Sequence, residues 1–132
     1  MISQQYIIDT NFIVRYIVGD VKEQSQFAKS FFKKVIEGKI KAIINDVVVA
    51  EVVYVLSTNY KVPRVEIAVF LRNFLIYKGI VLKDKDIILN ALDIYQHSKL
   101  HIVDSMLAAS SAQLGAEVMT FDVALKKYIL KN

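Results

Sequence analysis

The sequence contains no cysteine, which excludes a disulfide framework and any metal site built from thiolates. It has no tryptophan, one proline and four glycines, and no glycine-rich loop of the kind that binds nucleotide phosphates. The longest stretch without a charged residue, 105–116, has 12 residues and is too short to span a bilayer. The first nine residues also lack the features of a signal peptide. We therefore expect a cytoplasmic protein with no membrane association.

What the sequence does contain supports a folded core. Its 132 residues are 55% hydrophobic and 11% aromatic, which fits one domain spanning 1–132. The net charge of +4 and the isoelectric point near 9.2 favour a polyanionic partner such as RNA.

Short apolar runs alternate with longer amphipathic segments along the chain. We predict strands at 5–9, 41–45, 80–82 and 117–121. We predict helices at 11–18, 23–37, 46–60, 65–78, 86–97, 102–114 and 123–128. Gly19, Gly38, Gly79 and Gly115 each follow a predicted helix and are expected to cap its C-terminus. This alternation predicts an α/β fold with a mainly parallel sheet of four or five short strands, covered by helices on both faces.

Helix 23–37 carries an apolar stripe that we expect to face the core. The stripe includes Phe27, Phe31 and Val35, with Phe32 and Ile36 beside them.

Glu51 is the only charged residue in an otherwise apolar run of ten residues, 47–56. Such a run is expected to be buried, and an isolated buried carboxylate protonates or finds a cation. The cation could be a lysine, Arg15, or a metal ion shared with other acids.

Three aspartates lie where they could join Glu51. Asp9 and Asp122 follow predicted strands, so both are expected at the carboxyl edge of a parallel sheet, where ligands bind. Asp104 falls in the first turn of its helix, where the helix dipole favours an anion. The four acids are thus predicted to converge.

A purely structural interpretation exists for each aspartate. Asp9 and Asp122 are suited to capping the helices that follow them, and Asp104 compensates a helix dipole. If the carboxylates do cluster, a hard divalent ion must neutralise their repulsion, and an oxygen-only ligand set favours Mg²⁺ or Mn²⁺. Such ions on a basic protein suit phosphodiester hydrolysis.

Four segments of the sequence, 6–16, 50–56, 103–109 and 120–122, resemble in order the four motifs of PIN-domain ribonucleases. More narrowly, the chain resembles the VapC-type toxins of toxin–antitoxin pairs. The resemblance implies a compact three-layer α/β/α domain in which Asp9, Glu51, Asp104 and Asp122 bind one or two Mg²⁺ or Mn²⁺ ions.

The resemblance also implies helpers and partners. Asn11 and Thr120 match polar residues that orient a carboxylate or a metal-bound water. It implies a homodimer and inhibition by a cognate antitoxin that blocks the cleft. The loop 99–101 lacks the glycine that relatives often have there.

Basic residues near these motifs are candidate RNA contacts. Arg15, Lys126 and Lys127 could meet phosphates, although the lysines would equally form a solvated helix face. His97 and His101 are four residues apart, but 98–99 reads as a helix break, which argues against a shared metal.

The sequence as a whole predicts a Mg²⁺- or Mn²⁺-dependent endoribonuclease, the toxin component of a type II toxin–antitoxin system. The alternative is a non-catalytic PIN-like module that binds RNA or a protein and keeps the acids as remnants.

Overall fold

The computed structural model describes residues 4–132. Within that range the chain forms three strands, β1 (Gln5–Ile7), β2 (Lys41–Ile43) and β3 (Ile80–Val81). The helices of the same range are α1 (Thr10–Val18), α2 (Lys22–Ile36), α3 (Asp46–Thr58), α4 (Arg64–Leu75), α5 (Lys85–His97), α6 (Ile102–Leu114) and α7 (Val123–Lys131). No helix in this part of the chain is both long and apolar enough to cross a membrane.

The three strands form one parallel sheet in the order β1-β2-β3. The register pairs Tyr6 with Ala42 and Ala42 with Ile80. The predicted α/β class with a parallel sheet is confirmed. The predicted number of four or five strands is wrong for residues 4–132, because segment 117–121 forms no strand there.

The two faces of the sheet have different surroundings. One face carries Ile8, Ala42, Ile44 and Ile80, which are at most 5% exposed and belong to the main core. The other face carries Ile7, Ile43 and Val81 in one row across the strands. Ile7 is 79% exposed and Val81 is 40% exposed. Helices therefore cover one face, and the layer expected on the second face is not packed against this row.

Aromatic rings fill the centre of the core. The buried ring of Phe32 lies 4.6 Å from that of Tyr16 and 5.1 Å from that of Phe74, measured between centroids. Burial and a hydrogen bond to Tyr77 raise the pKa of Tyr16. Phe27 was expected in this core, but it is exposed, because the buried stripe of α2 runs through Ser25, Ala28, Phe32 and Val35.

Glycines cap the C-termini of two helices, α1 and α6. Gly19 follows α1 with φ 72° and Gly115 follows α6 with φ 64°, both in the left-handed region that glycine tolerates. The predicted caps at these positions are confirmed.

Gly79 has a different role from the predicted cap. Helix α4 ends at Leu75, and Gly79 lies beyond it at the start of β3. Its N–H donates to Val35 O at 2.9 Å and its carbonyl accepts from Ala42 N at 2.8 Å. The expectation is therefore wrong at this position, because Gly79 is needed for close backbone approach between α2, β2 and β3.

The C-terminal third of the chain packs on itself. Helices α5 and α6 form a hairpin, and Leu125 of α7 is buried against Leu100 and Ala108 of that hairpin. Between α6 and α7, residues 116–122 form no regular secondary structure.

We predict that Gly79→Ala destabilises the fold by about 2–3 kcal/mol through overpacking. A Cβ at this position would collide with the carbonyl oxygen of Ile40 and lie 2.8 Å from that of Val35. Urea unfolding measures the loss. Gly115→Ala is the control, because its Cβ would meet no atom within 4 Å and only the positive φ costs about 1 kcal/mol. A smaller loss at Gly79 than at Gly115 would contradict the packing argument.

Candidate active site

Asp9 lies just beyond the carboxyl end of β1 and begins α1. Its Oδ1 accepts a hydrogen bond from the Phe12 backbone N–H at 2.9 Å, which makes Asp9 the N-cap of α1. The structural interpretation of Asp9 is therefore confirmed. Capping uses only one oxygen of the carboxylate, because Oδ2 makes no hydrogen bond within residues 4–132. Asp9 and Asn11 border a shallow cavity of ≈ 300 Å³ together with Arg15.

Arg15 is held by partners within its own chain. Its guanidinium donates to Asp20 Oδ1 at 3.1 Å, to Gln24 Oε1 at 3.1 Å and to Tyr60 Oη at 3.2 Å. The hydrogen bond to Tyr60 and the charge of Asp20 raise the pKa of Arg15 above its ordinary value. Arg15 therefore links α1 to the ends of α2 and α3, and its contact with RNA stays a prediction.

Glu51 is exposed, so the expectation that it is buried is wrong. The run 47–56 is apolar, but α3 buries only the stripe of Val49, Val52, Val53 and Leu56. Glu51 lies on the opposite side with Val47 and Tyr54, which are 63% and 65% exposed. Within residues 4–132 no ion pair involves Glu51, and Arg15 pairs with Asp20 instead.

Glu51 borders an open cleft of ≈ 770 Å³ between α3 and α6. The cleft is mostly apolar, and its exposed lining includes Val47, Tyr54, Val103 and Leu107. His101 also lines it, at the N-terminus of α6. Asp104 lies in the first turn of α6, as predicted, and its side chain is half-buried.

Arg64 organises the floor of this cleft, and its role was not predicted. One nitrogen donates to Tyr95 O at 2.8 Å and to Leu100 O at 2.7 Å, and the guanidinium lies 3.9 Å from the centre of the Tyr95 ring. Arg64 thus holds the loop between α5 and α6, whose shape the missing glycine had left open. The only sequence feature that could have indicated this role is the position of Arg64 directly after Pro63, at the start of α4.

Asp122 and Thr120 lie on the segment 116–122 that precedes α7. Asp122 Oδ1 accepts from Leu125 N at 2.9 Å and caps α7, and Asp122 N donates to Thr120 Oγ1 at 3.0 Å. The capping interpretation of Asp122 is confirmed as well, with Oδ2 making no hydrogen bond in the described range. Lys126 and Lys127 are exposed on α7.

The four acids are not gathered in this conformation. Among residues 4–132 no group of three or more His, Asp or Glu side chains is placed to hold a metal ion. Helix α5 ends at His97 and α6 begins at Ile102, so the two histidines do not share a helix, as expected. Hard carboxylate oxygens suit Mg²⁺ or Mn²⁺, but their placement does not form a site. The convergence expected at the sheet edge is not seen, and for Asp122 the reason is that segment 117–121 does not join the sheet.

Comparison with known proteins gives one result for this chain. The family model described as PIN domain matches residues 6–129. Neither the curated proteins nor the solved structures give a match.

We predict that Glu51→Leu changes the free energy of unfolding by no more than about 0.5 kcal/mol, because the side chain is exposed and has no ion pair. Val53→Gln is the matched control on the same helix. It should cost more than about 2 kcal/mol by burying an amide, since Val53 is 1% exposed. Urea denaturation compares the two. A loss above about 2 kcal/mol for Glu51→Leu would show that Glu51 has a structural partner.

Proposed function

The chain belongs to the PIN domain family, and we propose that it is a Mg²⁺- or Mn²⁺-dependent endoribonuclease. PIN domains are generally nucleases and typically use divalent metal ions. The observation that carries the proposal is the family match, which spans 124 of the 132 residues and includes Asp9, Glu51, Asp104 and Asp122. These four acids are the proposed ligands of one or two ions.

The local geometry of two of these acids supports a ligand role. Asp9 and Asp122 each use one oxygen to cap a helix, which fixes the orientation of the carboxylate. The other oxygen of each group remains available to a cation. Bound there, a divalent ion would supply a nucleophilic water and stabilise the leaving oxygen. Because the acids are not gathered in this conformation, no reaction step is assigned to it.

RNA is the proposed substrate. The net charge of +4 favours a polyanion. The exposed Lys126 and Lys127 immediately follow Asp122 on α7 and are the proposed phosphate contacts. Arg15, which borders the same cavity as Asp9, is a third proposed contact.

We propose further that the enzyme is a VapC-type toxin restrained by a cognate antitoxin. The support is the cleft between α3 and α6, which exposes the apolar side chains of Val47, Tyr54, Val103 and Leu107 around one groove. Monomeric proteins rarely expose a large apolar patch unless another molecule binds there. Glu51 borders the groove, so a protein segment bound there would cover one of the proposed ligands.

A second candidate function is a non-catalytic module that binds RNA or a protein. The absence of a gathered acid group among residues 4–132 favours it. Calorimetric titration with Mn²⁺ separates the two candidates. No Mn²⁺ binding by a protein that still binds RNA would favour the module.

We predict that Asp9→Asn lowers Mg²⁺-dependent RNA cleavage by about 100-fold or more, because a neutral amide is a poor ligand for a hard cation. Asparagine still caps a helix, so the circular dichroism spectrum and the unfolding midpoint should stay close to those of the wild type. Asp86→Asn is the control, because Asp86 is exposed in the first turn of α5. Undiminished cleavage by Asp9→Asn would contradict the assignment.

A further inference from the structure

Strand β1 forms one edge of the sheet, and within residues 4–132 no strand pairs with its outer side. Gln4 O accepts from Lys41 N, and Ile8 N donates to Ile43 O, so alternate residues of β1 direct their backbone groups to β2. In a parallel ladder the backbone N–H and C=O groups of the intervening residues point to the opposite side of the strand. The N–H and C=O groups of Gln5 and Ile7 therefore face the free edge, where a further strand would bind.

Residues 117–121 have the properties of a strand without a partner. Within residues 4–132 their backbone groups make no hydrogen bond to another backbone group. Their side chains alternate, with Val118 and Thr120 half-buried and the residues between and after them fully exposed. Met119 is 90% exposed and Phe121 is 100% exposed. Val118 packs on the α5–α6 hairpin near Leu100 and Ala108.

An apolar cavity adjoins the open edge. It measures ≈ 600 Å³ and lies between β1 and α2. Its lining is mostly apolar and includes Tyr6, Ile8, Phe12, Phe27 and Phe31, with polar groups contributed by Gln4, Asp9, Ser30 and Lys34. Phe27, which is 68% exposed, borders this opening.

One register fits segment 117–121 to this edge. If Asp122 is level with Asp9, Met119 pairs with Tyr6 and Phe121 pairs with Ile8. Paired residues of adjacent strands share a face, so Met119 and Phe121 would enter the aromatic cavity. The backbone groups of Met119 and Phe121 would then face those of Gln5 and Ile7.

We propose that two copies of this chain exchange residues 117–121, and that each segment binds the β1 edge of the other copy as a parallel fourth strand. A second copy is the occupant because the segment is tied to its own hairpin at both ends. It leaves α6 at Gly115 and enters α7, where Leu125 is 1% exposed against Leu100 and Ala108. Met119 and Phe121 already point away from that hairpin, so they can dock without its rearrangement.

The exchange also covers the open face of the sheet. Val118 and Thr120 would lie on the face of Ile7, opposite to Met119 and Phe121. The hairpin that packs on Val118 is therefore carried over the row of Ile7, Ile43 and Val81, of which Ile7 and Val81 are exposed. Two copies thus bury on each other the apolar surfaces that one copy exposes.

The exchange gives a reason why one chain lacks a gathered acid group. In the exchanged dimer, Asp122 of the second copy lies beside Asp9 of the first, at the carboxyl edge of the sheet. This consequence rests on the proposed function, whereas the exchange itself rests on the edge, the segment and the cavity.

The exchange predicts a disulfide between chains. Gln5→Cys and Val118→Cys variants, carried on separate differently tagged chains and co-expressed, should form a covalent heterodimer on oxidation. In the proposed register these positions are neighbours, at a spacing of about 4.8 Å that a disulfide spans. The native chain has no cysteine to interfere. Non-reducing electrophoresis gives the yield.

Two controls decide this result. Phe121→Asp added to both chains should lower the yield at least ten-fold, whereas Leu130→Asp, at an exposed position on α7, should not. No heterodimer would overturn the proposal. A further variant carries Gln5→Cys and Val118→Cys on the same chain. If a cross-link forms only within that chain, the proposal is also overturned, because the segment then pairs with its own β1.

The exchange further predicts complementation between inactive variants. Co-expressed Asp9→Asn and Asp122→Asn chains should regain about a quarter of the wild-type RNA cleavage, because half of the random dimers are mixed and each has one intact site of two. Each variant alone should be inactive. No recovery, when the wild type cleaves RNA, would overturn the exchange. A wild type without cleavage would overturn the proposed function instead, and the disulfide result would still decide the exchange.

Discussion

The backbone amides of Gln5 and Ile7 point away from β2, and within residues 4–132 nothing pairs with them. Three consequences depend on this open edge of β1. The sheet of residues 4–132 has three strands, the cavity beside Tyr6 and Phe31 stays open, and Ile7 and Val81 remain exposed on one face of the sheet. The position of the acids depends on it too, because Asp122 reaches the carboxyl edge of the sheet only with a strand bound beside β1.

The helices and most strands were predictable because their signals are local. Helix α6 has the predicted bounds, since alanine-rich apolar spacing precedes Gly115, whose positive φ ends it. The strand at 117–121 was not predictable from local sequence. Its residues favour a strand, and their side chains alternate between half-buried and exposed, but strand pairing depends on a partner that the local sequence does not identify. Gly79 shows the same limit, because its role is set by Val35 and Ala42, which are distant in sequence.

The sequence proposes residues for the candidate site, but it does not predict how the structure arranges them. Asp9, Glu51, Asp104 and Asp122 stand out in sequence, and the family match spans all four. The prediction that Glu51 is buried was wrong, because hydrophobic composition does not indicate which stripe of a helix faces the core. Val47 and Tyr54 share its exposed stripe. These exposed apolar residues instead indicate a surface that a protein partner covers.

Hydrogen exchange at the amides of Gln5 and Ile7, followed over a range of protein concentrations, shows whether a second copy fills the open edge of β1. We expect both amides, with those of Met119 and Phe121, to exchange at least about 100-fold more slowly once the protein dimerises, because each becomes part of a strand ladder. Magnetic resonance resolves these amides one by one. Fast exchange at Gln5 and Ile7 in a protein that is fully dimeric would contradict the proposed strand exchange.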